Sequence, residues 1–273
     1  MNKYRFFDED KKHLHQLWSE RKEDWENLTG CTSILDVLGK TLTWWAAELS
    51  AVECLEVGEK IPTIREEYTL AATSDNKSLA IRELEKKYPL FKKARYAHSV
   101  RLDKTADAGT DLHEKLERYV KLCLISSDGK PLASAPSEKV ADFSDWAIKN
   151  VKRFLWSEIH CFDELLFVGG ITDAGAELND GTYAIIDFKS AKEVYFNHFV
   201  QIAIYNLLID KNGGYDKKGN KTFTLDKPIT KYIVVPFGAN KFKVVESNNI
   251  KGLQDAGLSA ISLYRQKGYF ENK

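Results

Sequence analysis

The chain reads as a mixed α/β fold, an α-β-β-β-α-β order of elements flanked by helices and preceded by a helical N-terminal extension. Two observations predict it. The apolar runs Leu165-Leu166-Phe167-Val168 and Tyr183-Ala184-Ile185-Ile186 are separated by Asn179-Asp180-Gly181, a strong hairpin signal. Beyond them, Phe196, Phe199, Val200, Ala203, Ile204, Leu207 and Leu208 recur at three- and four-residue steps, which predicts a helix over Val194 to Asp210. A length of 273 residues suffices for one substantial core. The six prolines are scattered, and no Ser/Gly-rich linker or internal repeat interrupts the sequence. A single domain over 1–273 is therefore expected, with 1–105 as a helical N-terminal part and 106–273 as core and C-terminal additions.

Taken in order, the pattern predicts helix from about Asp8 to Ser50, with Thr32 or Ser33 as an N-cap and Trp44 and Trp45 as core anchors. Further helices are expected over Thr63 to Tyr88 and Ala106 to Leu124, the latter burying Leu112, Leu116, Tyr119, Val120 and Cys123. A helix near Ser137 to Asn150 leads to a strand over Phe154 to Cys161. After the hairpin and its helix come a polar loop through Gly213-Gly214 and Lys217 to Asn220, read as a mobile contacting tip or a disordered connection. A returning strand at Lys231 to Pro236, an edge strand at Lys241 to Glu246 and a closing helix from Lys251 to Lys267 complete the order.

The chemistry concentrates in Asp187-Phe188-Lys189. On a strand, side chains alternate in direction, so Asp187 and Lys189 share a face while Phe188 enters the core. The hairpin brings Asp173, in Gly169-Gly170-Ile171-Thr172-Asp173, close to Asp187. Paired carboxylates beside a lysine suit a hard divalent cation next to a phosphate. Taken alone, an Asp-x-Lys triplet is more often a solvated face or a weak surface ion pair. His113 and Glu117 stand four apart next to a buried helical stripe, and Gln201 and Tyr205 are four apart on another helix. Each pair taken alone is an ordinary polar helix edge.

The order of these pieces matters more than any one of them. Gly109-x-x-x-His113, Glu158, Gly-Gly-Ile-Thr-Asp173, Ile-Ile-Asp187-Phe-Lys189-Ser and Gln201-x-x-x-Tyr205 together resemble the PD-(D/E)XK nuclease superfamily, in its RecB-like branch with phage exonucleases. The segment Leu28 to Lys40, followed by Trp44-Trp45-Ala46, is similar to an N-terminal helical segment of such nucleases. The resemblance spans about Gly109 to Tyr205 and implies a restriction-endonuclease-like core. It further implies His113, Asp173, Asp187 and the carbonyl of Phe188 as ligands of Mg²⁺ or Mn²⁺. Lys189 then orients water and offsets phosphate charge, Glu158 is an accessory acid, and Gln201 and Tyr205 contact phosphate or hold the lysine; Glu117 is explained equally well as helix support. The implied activity is metal-dependent hydrolysis of DNA by an exonuclease of recombination, repair or phage DNA processing, whose helical additions from Asp8 to Leu124 wall a channel for a DNA end. Its partners are linear DNA ends and a recombination or phage protein. Two alternatives stay open, a non-cleaving nucleic-acid-binding or assembly module of the same fold and an endonuclease.

Cys31, Cys54, Cys123 and Cys161 show no C-x-x-C spacing, which argues against zinc. No cysteine follows Cys161, so the iron–sulfur cluster of some members of that superfamily is not expected. Reduced thiols and the lack of a long apolar run or signal-peptide core predict a cytoplasmic protein away from membranes. The formal net charge is zero, yet residues 187–273 hold 14 Lys/Arg against 8 Asp/Glu and residues 82–104 hold 8 against 3. Such patches fit phosphate contact, and equally an ordinary lysine-rich helix face.

Overall fold

A computed structural model describes residues 3–9, 12–38, 42–133, 138–238 and 241–271. Lys40 lies outside the described residues, and so do the side chains of Trp44, Trp45, Arg101 and Lys104 and the surroundings of Gly109. In chain order come β1 (Tyr4–Glu9), β2 (Lys12–Ser19), β3 (Asp24–Asn27), β4 (Thr29–Gly30), α1 (Cys31–Ile34) and a 3₁₀ turn at Leu35–Leu38. Helices α2 (Leu42–Lys60), α3 (Ile64–Thr73), α4 (Lys77–Lys87), α5 (Pro89–Arg95), α6 (Ala97–Ser126) and α7 (Glu138–Asn150) follow. The chain then forms β5 (Val151–Asp163), β6 (Val168–Leu178), β7 (Tyr183–Lys189), α8 (Phe196–Asn212), β8 (Gly214–Tyr215), β9 (Lys221–Phe223), β10 (Ile229–Pro236), β11 (Val245–Ser247) and α9 (Ile250–Glu271).

The protein is a mixed α/β structure divided into two units, Met1–Gly39 with Gly109–Lys273, and Lys40–Ala108. This differs from the expected division at 105/106, because the first 39 residues pack with the C-terminal part and a helical segment is inserted between them. Within the inserted unit, Val57, Ile64, Leu84, Phe91 and Ala94 form a small core.

The larger unit is built on a mixed sheet of order β11-β10-β7-β6-β5-β8-β9, with β4 added in parallel to β6. β5, β6 and β7 are antiparallel neighbours, and β10 returns parallel to β7. The β6–β7 turn carries Gly181 at φ 83°, a left-handed conformation that glycine adopts without a side-chain clash. Alternation along β7 separates two cores: Tyr183 and Ile185 pack with Val200, Ile204 and Leu208 of α8 and Leu253 and Ile261 of α9. Ala184, Ile186 and Phe188 pack with Leu116, Tyr119 and Val120 of α6 and Phe143 and Ala147 of α7. Full burial of such side chains contributes about 1.5–3 kcal/mol apiece. Phe188 thus points into the core as the strand period predicts.

Three expectations are corrected. The described residues before Thr29 form a β-meander rather than helix, with β1, β2 and β3 antiparallel. Leu14, Leu17 and Trp18 have helical spacing, but Tyr4 and Phe6 are buried between outward Arg5 and Phe7, a period of two that β1 follows. Neither Thr32 nor Ser33 caps α1; its N-cap is Gly30, without a side-chain bond. The polar loop after α8 is an ordered hairpin of β8 and β9, in which Asp216 Oδ1 accepts from the backbone of Lys218 and Asn220 at 2.8 Å each. Among the described residues no helix is long and apolar enough to cross a membrane.

Candidate functional site

Strand pairing places Asp187 at the end of β7 beside the middle of β6, where Asp173 lies. The backbone N–H of Phe188 donates to Asp173 Oδ2 at 2.7 Å, which ties the two strands together at this point. Lys189 Nζ donates to Asp187 Oδ1 at 2.9 Å and stands 2.7 Å from Oδ2, an oxygen with no hydrogen bond of its own. Asp187 is only 2 % exposed, and burial pushes its carboxyl up to about 6 against the pull of Lys189. Burial works against the Lys189 ammonium as well, but Asp187 and Asp173 outweigh it and hold its pKa above the ordinary value. From α6, His113 Nε2 reaches Asp173 Oδ2 at 3.2 Å, and that hydrogen bond raises the imidazole pKa. The His113 ring also meets Phe188 edge-on at 5.9 Å.

A second group of side chains adjoins this one. Glu158 of β5 lies opposite Asp173 in register, since Ser157 pairs with Ala174 and Ile159 with Thr172. Its φ of 46° is left-handed, a conformation that costs a non-glycine residue about 1–3 kcal/mol. The kink shifts the alternation of β5: Trp156 and then Ile159 and Cys161 all enter the core beneath α8, while Glu158 meets α6 instead. There Lys121 Nζ donates to Glu158 Oε2 at 3.3 Å and also to Glu117 Oε1. Burial, followed by a proton shared with Glu117, raises the Glu158 pKa. His113, Glu117 and Lys121 stand at four-residue steps, so one face of α6 serves both groups. Lys121 was missed in the sequence; its i, i+4 spacing from Glu117 was the available signal.

Gln201 and Tyr205 form a third group, on α8. Gln201 Nε2 donates to the Tyr205 hydroxyl at 2.9 Å and approaches Thr32 Oγ1 at 3.5 Å. Both are buried, and desolvation raises the phenol pKa well above its ordinary value, with Asp187 and Asp173 adding to the rise. Gln201 therefore supports Tyr205 and the N-terminal segment, whereas the described partner of Lys189 is Asp187. Gly170 lets this ring approach: a Cβ there would stand 2.5 Å from Tyr205 Cε1 and 2.8 Å from Cys31 Sγ. His198, half-buried near Lys189, was also not singled out; burial, reinforced by that ammonium, lowers its pKa to about 4.

The sequence-predicted residues His113, Asp173, Asp187, Phe188 and Lys189 are thus together, with Glu158 and Glu117 alongside and Gln201 and Tyr205 behind. Among the described residues no three His, Cys, Asp or Glu side chains converge as a ready-formed metal cage. The aspartates here face the protein's own Lys189 ammonium and His113 imidazole. Neither the family models nor the curated proteins compared with this chain give a match.

Proposed function

We propose that the protein is a metal-dependent deoxyribonuclease with a restriction-endonuclease-like core, acting on DNA ends as an exonuclease. The observation that carries the reading is buried Asp187 paired with half-buried Lys189 on a β-hairpin, beside Asp173 of the same hairpin and His113 of α6. Burying an ionised carboxylate costs stability, and such perturbed pairs cluster at functional sites.

The donor set fits Mg²⁺ or Mn²⁺ in kind: two carboxylates, an imidazole and the main-chain carbonyl of Phe188 are oxygen-rich, and Asp187 Oδ2 has no hydrogen bond. Asp173, Asp187, His113 and Phe188 would hold the ion in competition with the ammonium and imidazole that now face the same oxygens. When bound, such an ion acts as a Lewis acid on the phosphate and lowers the pKa of water. Lys189 offsets negative charge on the scissile phosphate and orients the attacking water. The Phe188 N–H fixes Asp173, and Lys121 keeps Glu158 and Glu117 turned toward the same region. Tyr205, supported by Gln201, supplies a hydroxyl that stays protonated and donates to phosphate oxygen.

The test is digestion of end-labelled linear DNA and covalently closed circles with Mg²⁺, Mn²⁺ or EDTA. Linear DNA is expected to be degraded from its ends to small products with either metal, without sequence preference, and circles to be spared. Discrete fragments from circles would make the protein an endonuclease. Metal-independent binding without any product would make it an assembly module.

A further inference from the structure

The meander β1-β2-β3 has one face buried and one face whose described side chains are half-buried or exposed. Tyr4, Phe6 and His15 fill the inner face, where Tyr4 stacks on Phe162 with ring centroids 4.3 Å apart. Register pairs Arg5 with Gln16, Phe7 with Leu14, Gln16 with Asn27 and Trp18 with Trp25. Directly opposed residues project to the same side, so these side chains share the outer face.

That face is ordered by its own contacts. The Arg5 guanidinium lies 4.4 Å from the Phe7 ring centroid and 4.0 Å from that of Trp25, while Trp18 meets Trp25 edge-on at 5.6 Å. Arg5 Nε donates to Gln16 Oε1 at 2.9 Å, and Gln16 Nε2 donates to Asn27 Oδ1 at 2.6 Å, a hydrogen-bonded rail across all three strands. Phe7 is 40 % exposed, and Arg5, Gln16, Trp18 and Trp25 are half-buried. Among the described side chains within the three strands of this face there is no carboxylate, and Glu20 at its end is ion-paired with Lys3 at 2.6 Å.

We propose that this face binds single-stranded nucleic acid, with bases stacked on Trp25, Trp18 and Phe7 and Arg5 meeting phosphate. The Arg5 guanidinium already lies against two of these rings, so they accept a cationic or planar neighbour. Unpaired bases present such planes, whereas a duplex hides them within its own stack. The guanidinium, with no acid among the described side chains of the face, complements a polyanion, and the rail holds Arg5 in place so that little entropy is lost on binding. The proposal goes beyond hydrolysis and stands without it.

The experiment titrates the full-length protein, in EDTA, with a fluorescein-labelled short oligothymidylate, an abasic oligonucleotide of equal length and a blunt duplex, reading anisotropy and tryptophan quenching. The thymidylate is expected to bind and quench, and the abasic strand and the duplex to bind more weakly. Trp25→Ala should weaken thymidylate binding by about tenfold or more, and Trp25→Phe should restore most of it. Circular dichroism checks the fold; should Trp25→Ala unfold, Arg5→Gln replaces it and must weaken thymidylate binding. Equal affinity for abasic and base-bearing strands, unaltered binding in a folded variant, or no binding overturns the proposal. A dimer in sedimentation that Trp25→Ala dissociates would also overturn it, by assigning the face to a second copy of the chain. Because EDTA prevents cleavage, failure of the hydrolytic reading leaves this outcome readable.

Discussion

Asp187 works against the stability of the fold that holds it. Its carboxyl is raised to about 6 by burial, so at neutral pH the ionised form is carried at a cost that folding alone does not require. Asp187→Asn is therefore expected to leave the melting temperature unchanged or higher at pH 8, while cleavage falls by roughly 10²–10³-fold or more. Lys189→Met should cause a similar loss of cleavage. The two separate in calorimetric titration with Mn²⁺, where Asp187→Asn loses affinity and Lys189→Met retains it. Wild-type cleavage in either variant would remove these residues from the reaction. His113→Ala should raise the metal concentration needed for half-maximal cleavage; an unchanged requirement would return His113 to a helix-edge role beside Asp173. At this scale strand parity made Asp187, Phe188 and Lys189 legible in the sequence. The direction of Glu158 was not, because it depends on a left-handed backbone that no local pattern announces.

The elements that present the site are pinned by a charge cluster at the far end of the β5–β6 ladder. Glu177, 3 % exposed, accepts from Lys152 Nζ and Arg153 Nε at 2.8 Å each. These bonds lower its carboxyl from an ordinary 4.5 to about 2. A depressed acid stabilises the fold fully above the unfolded pKa and loses that contribution as pH falls through the folded one. Glu177→Gln should thus cost about 1–2 kcal/mol in urea unfolding at pH 7, a figure kept small because its cationic partners are half-exposed. The deficit should shrink between pH 4.5 and about 2; a deficit that persists there would assign the effect to packing. The β6–β7 hairpin and α8 could be read from turn residues and helical period alone. The N-terminal meander could not, because Phe7, Trp18 and Trp25 put aromatic side chains on its outer face and erase the inside–outside contrast on which strand recognition depends. The same outward aromatics that hid the sheet are the ones that form the stacking surface.

On the scale of the whole molecule, 40 basic residues against 40 acidic ones leave no net field to draw in DNA, so the proposed binding would have to come from local surfaces. The surplus over residues 187–273, 14 against 8, would be one such source. The cluster over 82–104 contributes less than its count implies, because Lys86, Lys87 and Arg95 are ion-paired with Glu83, Glu67 and Glu85. Those pairs already satisfy charges that would otherwise meet phosphate. A footprint of roughly four phosphates then predicts that affinity for a short duplex, measured by anisotropy in EDTA, falls about 100-fold between about 50 and 200 mM salt. Single strands should show a shallower dependence, because stacking on uncharged rings releases no counterions. Equal slopes for the two substrates would mean that phosphate contacts alone hold both, and a flat response for the duplex would remove the basic patches from DNA binding altogether.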